Sequence, residues 1–169
     1  MTKKIAYSAM LVALAMIFSY VEILIPISFG VPGIKLGLAN LVVVVGLWLM
    51  PPMQVFGILV ARIVLVAFMF GSMSSLLYSL AGGVLSFCVM LLLKKCKGFS
   101  VIGISMAGGV SHNIGQLIIA ALVVENLSVF YYFPVLMIAG LVTGMLIGVV
   151  GQRVNGRISL NTRNEHSFW

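Results

Sequence analysis

A histidine and two carboxamides occur within one helical turn of each other in a segment that is otherwise apolar. His112, Asn113 and Gln116 belong to the stretch GVSHNIGQ, which is flanked mainly by leucine, valine, isoleucine, methionine and glycine. Residues three or four apart share a face of a helix, so these side chains are predicted to point together into a bundle. There they either hydrogen-bond neighbouring helices or line a ligand cavity, and the spacing leaves both interpretations open.

Arg62 is the second residue that could carry a function. It falls at the centre of another apolar stretch, where a cation costs at least about 2.5 to 3.5 kcal/mol unless it finds an anion, carbonyl groups or water. Glu22 is the one carboxylate that lies inside an apolar stretch of the sequence. Arg62 is therefore predicted either to pair with Glu22 or to bind the acidic group of a substrate, and the scarcity of carboxylates favours the substrate.

The composition is that of an integral membrane protein. Hydrophobic residues make up 62% of the chain and charged residues 8%, and the mean hydropathy is +1.23, far from the balance of soluble domains. The net charge of +7 comes from basic residues in short clusters between apolar runs. Such clusters indicate membrane topology rather than nucleic-acid binding.

Apolar runs predict six transmembrane helices, since a bilayer core about 30 Å thick requires about 20 residues per helix. They cover residues 5–25, 36–50, 53–71, 74–93, 101–124 and 131–151. The second run is short and stops at Pro51 and Pro52, which cannot continue a helix. Six crossings place the three main basic clusters on one side, which the positive-inside rule makes cytoplasmic.

The predicted fold is thus an all-α integral membrane protein, a bundle of six transmembrane helices in the plasma membrane with both termini in the cytoplasm. Residues 1–155 form its single domain, and residues 156–169 are predicted to be a polar, poorly ordered cytoplasmic tail.

Small residues and aromatic residues add two further candidates. Ala6, Ala9 and Ala13, here called the alanine stripe, follow one another at helical spacing in the first span. Such stripes let helices approach closely, either within the chain or at an interface with a second protein. Tyr131, at the start of the sixth span, is either an anchor at the membrane interface or a ring that stacks on a planar ligand.

The sequence offers little for catalysis. Asp is absent, Glu occurs three times, and the two cysteines lack metal-ligand spacing. The chain contains no Walker A loop, HExxH or GxSxG motif. We therefore expect a protein that is not an enzyme, and any transport that it performs must draw energy from elsewhere.

Five stretches resemble a known membrane family. They are YSAMLVALA, PGIKLGLANLVV, LYSLAGGVLSF, HNIGQLIIAALV and PVLMIAGLVTGMLIGVVGQRV. Over most of the chain they resemble the family labelled "Gx transporter" or "heptaprenyl diphosphate synthase component I". The overall pattern is also similar to the S components, the substrate-binding subunits of energy-coupling factor (ECF) vitamin transporters.

The two resemblances imply different functions. Polyprenyl diphosphate synthesis requires Mg²⁺ between diphosphate and aspartate side chains, and this chain has no Asp. The synthase label therefore implies a non-catalytic accessory or scaffold for a prenyl diphosphate synthase or a quinone-biosynthesis enzyme. The S-component resemblance implies a subunit that binds no cofactor itself and works with a transmembrane coupling subunit and two ATPases that use ATP.

The S-component resemblance also implies contacts. It places the coupling subunit on the alanine stripe and the substrate pocket towards the outer side of the membrane. The expected substrate is a small anionic vitamin, quinone precursor or isoprenoid-related nutrient, bound by cationic and hydrogen-bonding side chains. The candidate contacts are Lys35, Asn40, Arg62, His112, Asn113, Gln116 and Tyr131.

Overall fold

The fold is helical throughout the part of the chain that the computed structural model describes, which comprises residues 2–24, 37–96 and 98–165. These ranges contain six α-helices and one 3₁₀-helix and no strand, as predicted. The helices are α1 (Thr2–Leu24), α2 (Asn40–Leu49), α3 (Pro52–Phe70), α4 (Met73–Lys95), α5 (Val101–Val124), the 3₁₀-helix (Leu127–Tyr132) and α6 (Phe133–Glu165).

Five of the described helical segments are long and apolar enough to cross a membrane: Ile5–Leu24, Pro52–Phe70, Met73–Lys95, Val101–Val124 and Leu127–Ile158. The chain is therefore a multi-pass membrane protein. By contrast, the ten residues of α2 rise only about 15 Å, half of the hydrocarbon thickness. Six full-length spans are not confirmed, and the number of crossings and the side of the termini stay predictions.

The late start of α2 is explained by the conformation and the contact of Gly37. Gly37 has a φ of +86°, a left-handed conformation that glycine adopts readily and that interrupts a right-handed helix. Its N–H donates a hydrogen bond of 2.5 Å to Oε1 of Glu22 in α1. The predicted second span therefore loses its first residues, and α2 begins at Asn40 and ends just before Pro51.

The contacts at its two ends place α2 in one half of the bundle. Near its C-terminus, the carbonyl of Leu47 accepts a hydrogen bond from Nζ of Lys94, in the last turn of α4. Before its N-terminus, a Cβ added to Gly37 would lie 3.0 Å from the imidazole of His112, which is midway along α5. The N-terminus of α2 therefore lies in the middle of the bundle.

Glycine contacts join α5 to both of its neighbours. A Cβ added to Gly144 of α6 would lie 2.7 Å from Cα of Met106, and one added to Gly115 of α5 would lie 2.8 Å from the carbonyl oxygen of Ala81 in α4. Backbones that approach this closely leave no room for a side chain. Gly140, Gly144 and Gly148 of α6 follow one another at GxxxG spacing, and this pattern is thus used for packing within the chain.

Two helix starts are fixed by serine caps, and one helix end differs from the prediction. The side chains of Ser72 and Ser100 accept hydrogen bonds from the first turns of α4 and α5, as N-caps do. The last helix was predicted to end at Gly151, but it continues to Glu165. Apolar length limits a membrane span and not the helix, whose backbone hydrogen bonds are satisfied internally. Much of the predicted tail is accordingly helical.

Candidate functional site

A polar cavity lies between α1, α3, α4 and α5, towards the end of the bundle where α1 and α3 end and α4 begins. Besides apolar residues of α3, its walls are the side chains of Ser19, Glu22, Arg62, Ser75, Ser79 and His112 and the backbone of Gly37. We call it the arginine cavity. Its walls leave room for about one water molecule, so a larger ligand requires them to move apart.

One face of α1 supplies its part of the wall. Leu11 and Ala15 are buried against α2 and α3, and Ser19 and Glu22 continue this face at helical spacing into the arginine cavity. The alanine stripe lies on another face of α1 and is exposed at all three positions. Ser19 and Glu22 of α1 therefore face the bundle, whereas the alanine stripe faces away from it.

Arg62 is the cation of the cavity. Its side chain is only 7% exposed, and its Nη1 donates a hydrogen bond of 3.3 Å to Oγ of Ser19. No hydrogen-bond partner of its Nε or Nη2 occurs among the described residues. Glu22 is near enough to interact with the guanidinium electrostatically. Two buried N–H donors without acceptors are costly, and they are the groups that a ligand oxygen would satisfy.

His112 and Asn40 approach the cavity from α5 and α2. The imidazole of His112 lines it, and Nε2 of His112 lies 2.6 Å from Nε2 of Gln116, one turn further along α5. Gly37 lies between His112 and Asn40, because a Cβ added there would be 3.0 Å from the histidine ring and 3.1 Å from Nδ2 of Asn40. The structure therefore places Arg62 and His112 on the cavity wall. Asn40 lies beside Gly37 but is not part of the wall, and Gln116 contacts the histidine.

Asn113 contacts a different part of the bundle from His112. Its Nδ2 donates a hydrogen bond of 2.6 Å to the carbonyl of Leu136 in α6, on the side of α5 away from the cavity. His112, Asn113 and Gln116 are all buried, as predicted. They do not all line one pocket, however. His112 lines the arginine cavity, Gln116 contacts the imidazole of His112, and Asn113 links α5 to α6.

One further candidate, Tyr131, does not join this group in the structure. Tyr131 is 86% exposed on the 3₁₀-helix and is not part of the cavity wall. Lys35 lies outside the residues that the structure describes.

Sequence reasoning did not single out Ser19, Ser75 and Ser79. Ser75 and Ser79 are four residues apart in α4, which puts both hydroxyls on one face, and Ser19 precedes Glu22 by three. These spacings are signals in principle, but serines are common in membrane helices, where they mostly link neighbouring helices. In the described ranges no group of three or more His, Cys, Asp or Glu is placed to hold a metal ion.

The fold and the cavity together define a class: an all-helical, multi-pass membrane protein with a buried arginine at a polar cavity. The family model of heptaprenyl diphosphate synthase component I matches residues 11–154, and the chain belongs to this family. The description indicates a membrane component associated with heptaprenyl diphosphate synthase. The match includes every described residue that lines the arginine cavity. Neither a curated protein nor a solved structure matches the chain significantly.

Proposed function

We propose that this chain is the substrate-binding subunit of an ECF-type importer in the plasma membrane. It captures a small anionic vitamin, quinone precursor or isoprenoid-related nutrient outside the cell and delivers it inward with a coupling subunit and two ATPases. The chain binds its substrate non-covalently and is not itself an enzyme. The observation that carries the proposal is Arg62, whose Nε and Nη2 lack hydrogen-bond partners among the described residues at the wall of a polar cavity.

The position of the cavity supports capture from outside. It lies towards the end of the bundle where α1 ends and α4 begins, and the positive-inside rule assigns that end to the exterior. Its walls combine the cation Arg62 and the carboxylate of Glu22 with the hydroxyls of Ser19, Ser75 and Ser79. Such a combination suits a polar, negatively charged ligand better than a lipid tail.

The exposed surface of α1 supports a membrane partner. The helix packs on the remainder of the chain through one face, and the alanine stripe remains exposed on another. A partner helix can approach such a stripe closely. In this proposal, the coupling subunit occupies the stripe.

The family description favours one alternative, a non-catalytic accessory of a prenyl diphosphate synthase or a quinone-biosynthesis enzyme. A catalytic role in that reaction is not proposed, because the sequence has no Asp to hold Mg²⁺ and diphosphate. In the accessory function, the exposed helix surfaces would bind the soluble enzyme and the cavity would serve only the stability of the bundle.

The two functions predict different partners. We expect the tagged chain, extracted from native membranes in mild detergent, to carry with it a transmembrane coupling subunit and two ATPases, identified by mass spectrometry. The double variant Ala9→Trp, Ala13→Trp should lose all three, because the indole rings prevent close approach at the alanine stripe.

The matched control is Met10→Trp, Leu14→Trp, which places the same two side chains on a neighbouring exposed face of α1. It should retain the partners. Recovery of a prenyl diphosphate synthase without ATPases would reject the importer and support the accessory. Equal losses in both double variants would mean that the stripe is not the binding surface.

A further inference from the structure

We infer that the ligand of the arginine cavity carries a single carboxylate, which Nε and Nη2 of Arg62 bind side-on. This inference specifies the ligand of the proposed function, and it rests on that function for the premise that the cavity binds a ligand. It assigns the chemical class of the group that is recognised: a monoanionic carboxylate, rather than a phosphate, a diphosphate or an uncharged carbonyl compound.

The geometry of the Arg62 guanidinium favours a carboxylate. Nη1 already donates to Ser19, whereas Nε and Nη2 have no hydrogen-bond partner among the described residues. Nε and Nη2 form one edge of the planar group, with two parallel N–H donors. That edge matches the two oxygens of a carboxylate in a bidentate contact. A single hydroxyl or water would satisfy only one of the two donors.

The charges around the arginine cavity favour a ligand with a single negative charge. Arg62 shares the cavity with Glu22, which lies in its electrostatic range, so an ionised Glu22 already balances the guanidinium. The N-terminus of α2, three residues beyond Gly37 of the cavity wall, adds roughly half a positive elementary charge. This balance suits one additional negative charge. A phosphate monoester would bring about 1.5 to 2 negative charges, and a diphosphate more, beside the Glu22 carboxylate, where the low dielectric strengthens their repulsion.

The small size of the arginine cavity also favours a carboxylate over a phosphate. The described walls leave room for about one water molecule. A carboxylate is flat and has three heavy atoms, whereas a phosphate is tetrahedral and has five. The walls must separate less to admit the carboxylate. The hydroxyls of Ser75 and Ser79, one turn apart on α4, line the same space and are suited to donate to its outer lone pairs.

Acetate is the probe that tests this inference. We expect sodium acetate to raise the thermal unfolding midpoint of the purified chain in detergent, relative to sodium chloride at equal ionic strength. The rise should grow with the logarithm of the acetate concentration above the dissociation constant, as linkage to a single site requires. Acetamide, inorganic phosphate and pyrophosphate should give no rise beyond that of sodium chloride at equal ionic strength.

The variant Arg62→Lys keeps the charge but loses the planar edge, so it should weaken acetate binding at least about tenfold. The matched control is Arg153→Lys, the same substitution at an exposed position of α6, and it should leave binding unchanged. If Arg62→Lys does not fold, Ser79→Ala replaces it, with an expected loss of about two- to tenfold.

Several results would overturn the inference. They are no effect of acetate beyond that of sodium chloride, an equal effect of acetamide, a larger effect of phosphate or pyrophosphate, and undiminished acetate binding in the folded variant. The titration uses the chain alone, so its failure concerns the carboxylate and leaves the coupling partners untouched. Conversely, a pull-down without ATPases rejects import even where acetate binds.

Discussion

His112 and Asn113 are adjacent in the sequence, yet their side chains make different contacts. Successive residues of a helix point about 100° apart, and α5 packs between α4 and α6. His112 therefore reaches the arginine cavity, whereas Asn113 donates to the backbone of α6. The spacing of polar residues predicted burial correctly, but it could not separate a cavity from a helix contact, because that depends on which neighbour each side chain meets.

Replacing Asn113 tests this division of roles. Asn113→Leu keeps the size of the side chain and removes its hydrogen bond to Leu136, which should lower the free energy of unfolding by about 0.6 kcal/mol, typical of such bonds in membrane bundles. Acetate affinity should remain within about twofold of the wild type, since no contact with the arginine cavity is lost. Thermal unfolding with and without acetate measures both quantities.

Ser79→Ala is the converse variant, because it removes a hydroxyl from the cavity wall and none from the contact between α5 and α6. It should weaken acetate binding with a smaller change in stability. Loss of acetate binding in Asn113→Leu would contradict the assignment of Asn113 as a link between helices.

Among the elements, α3, α4 and α5 were predicted to within two residues at each end. Their apolar runs are bounded by strong local signals: Pro51 and Pro52 before α3, Ser72 before α4 and Ser100 before α5. The length of α2 could not be predicted in the same way. It depends on the backbone of Gly37 and on a carboxylate fifteen residues earlier, a tertiary contact that no local pattern contains.

Gly140 of α6 allows a test of the packing between α5 and α6. A Cβ added to Gly140 would lie 2.8 Å from the carbonyl oxygen and 3.0 Å from the carbonyl carbon of Gly109. Both are backbone atoms that cannot rotate away. Gly140→Ala should therefore lower the free energy of unfolding by about 1 to 3 kcal/mol, the usual cost of overpacking.

The control is Gly57→Ala in α3, where an added Cβ meets nothing within 4 Å. That substitution should be neutral or slightly stabilising, because alanine is the better helix former. Thermal unfolding of the two variants in the same detergent compares them directly. Equal midpoints would show that the contact between α5 and α6 is looser than the structure describes.

At the scale of the whole molecule, the arginine cavity lies between two groups of helices. The helices α4, α5 and α6 are joined by glycine contacts that leave no space between their backbones. On the other side, α1 packs on α2 and α3 through Leu11 and Ala15. Because the space between the groups holds only about one water molecule, admission of a ligand requires α1 or α3 to move relative to the glycine-packed group.

This arrangement predicts an uneven pattern of hydrogen exchange. Backbone amides in the second half of α1 should exchange faster than those in the middle of α5, since elements with fewer buried contacts open more readily. Acetate should slow exchange in α1 and α3 and leave α5 unchanged. Mass spectrometry of deuterated peptides, with Arg62→Lys as the unresponsive control, measures this. Acetate protection confined to α5 would contradict it.

The short helix α2 also determines the thickness of the apolar layer between the arginine cavity and the opposite end of the bundle. Its N-terminus lies at mid-depth beside Gly37 and His112, and Lys94 and the ring of Trp48, 5.3 Å apart, are near its other end. Between these ends, Val43, Val44 and Leu47 are almost fully buried. An apolar plug about 15 Å long thus lies between the cavity and the end of the bundle where Lys94 contacts Leu47. Ions cannot hydrate within such a plug, so the chain can hold a polar site deep in the membrane without becoming a leak.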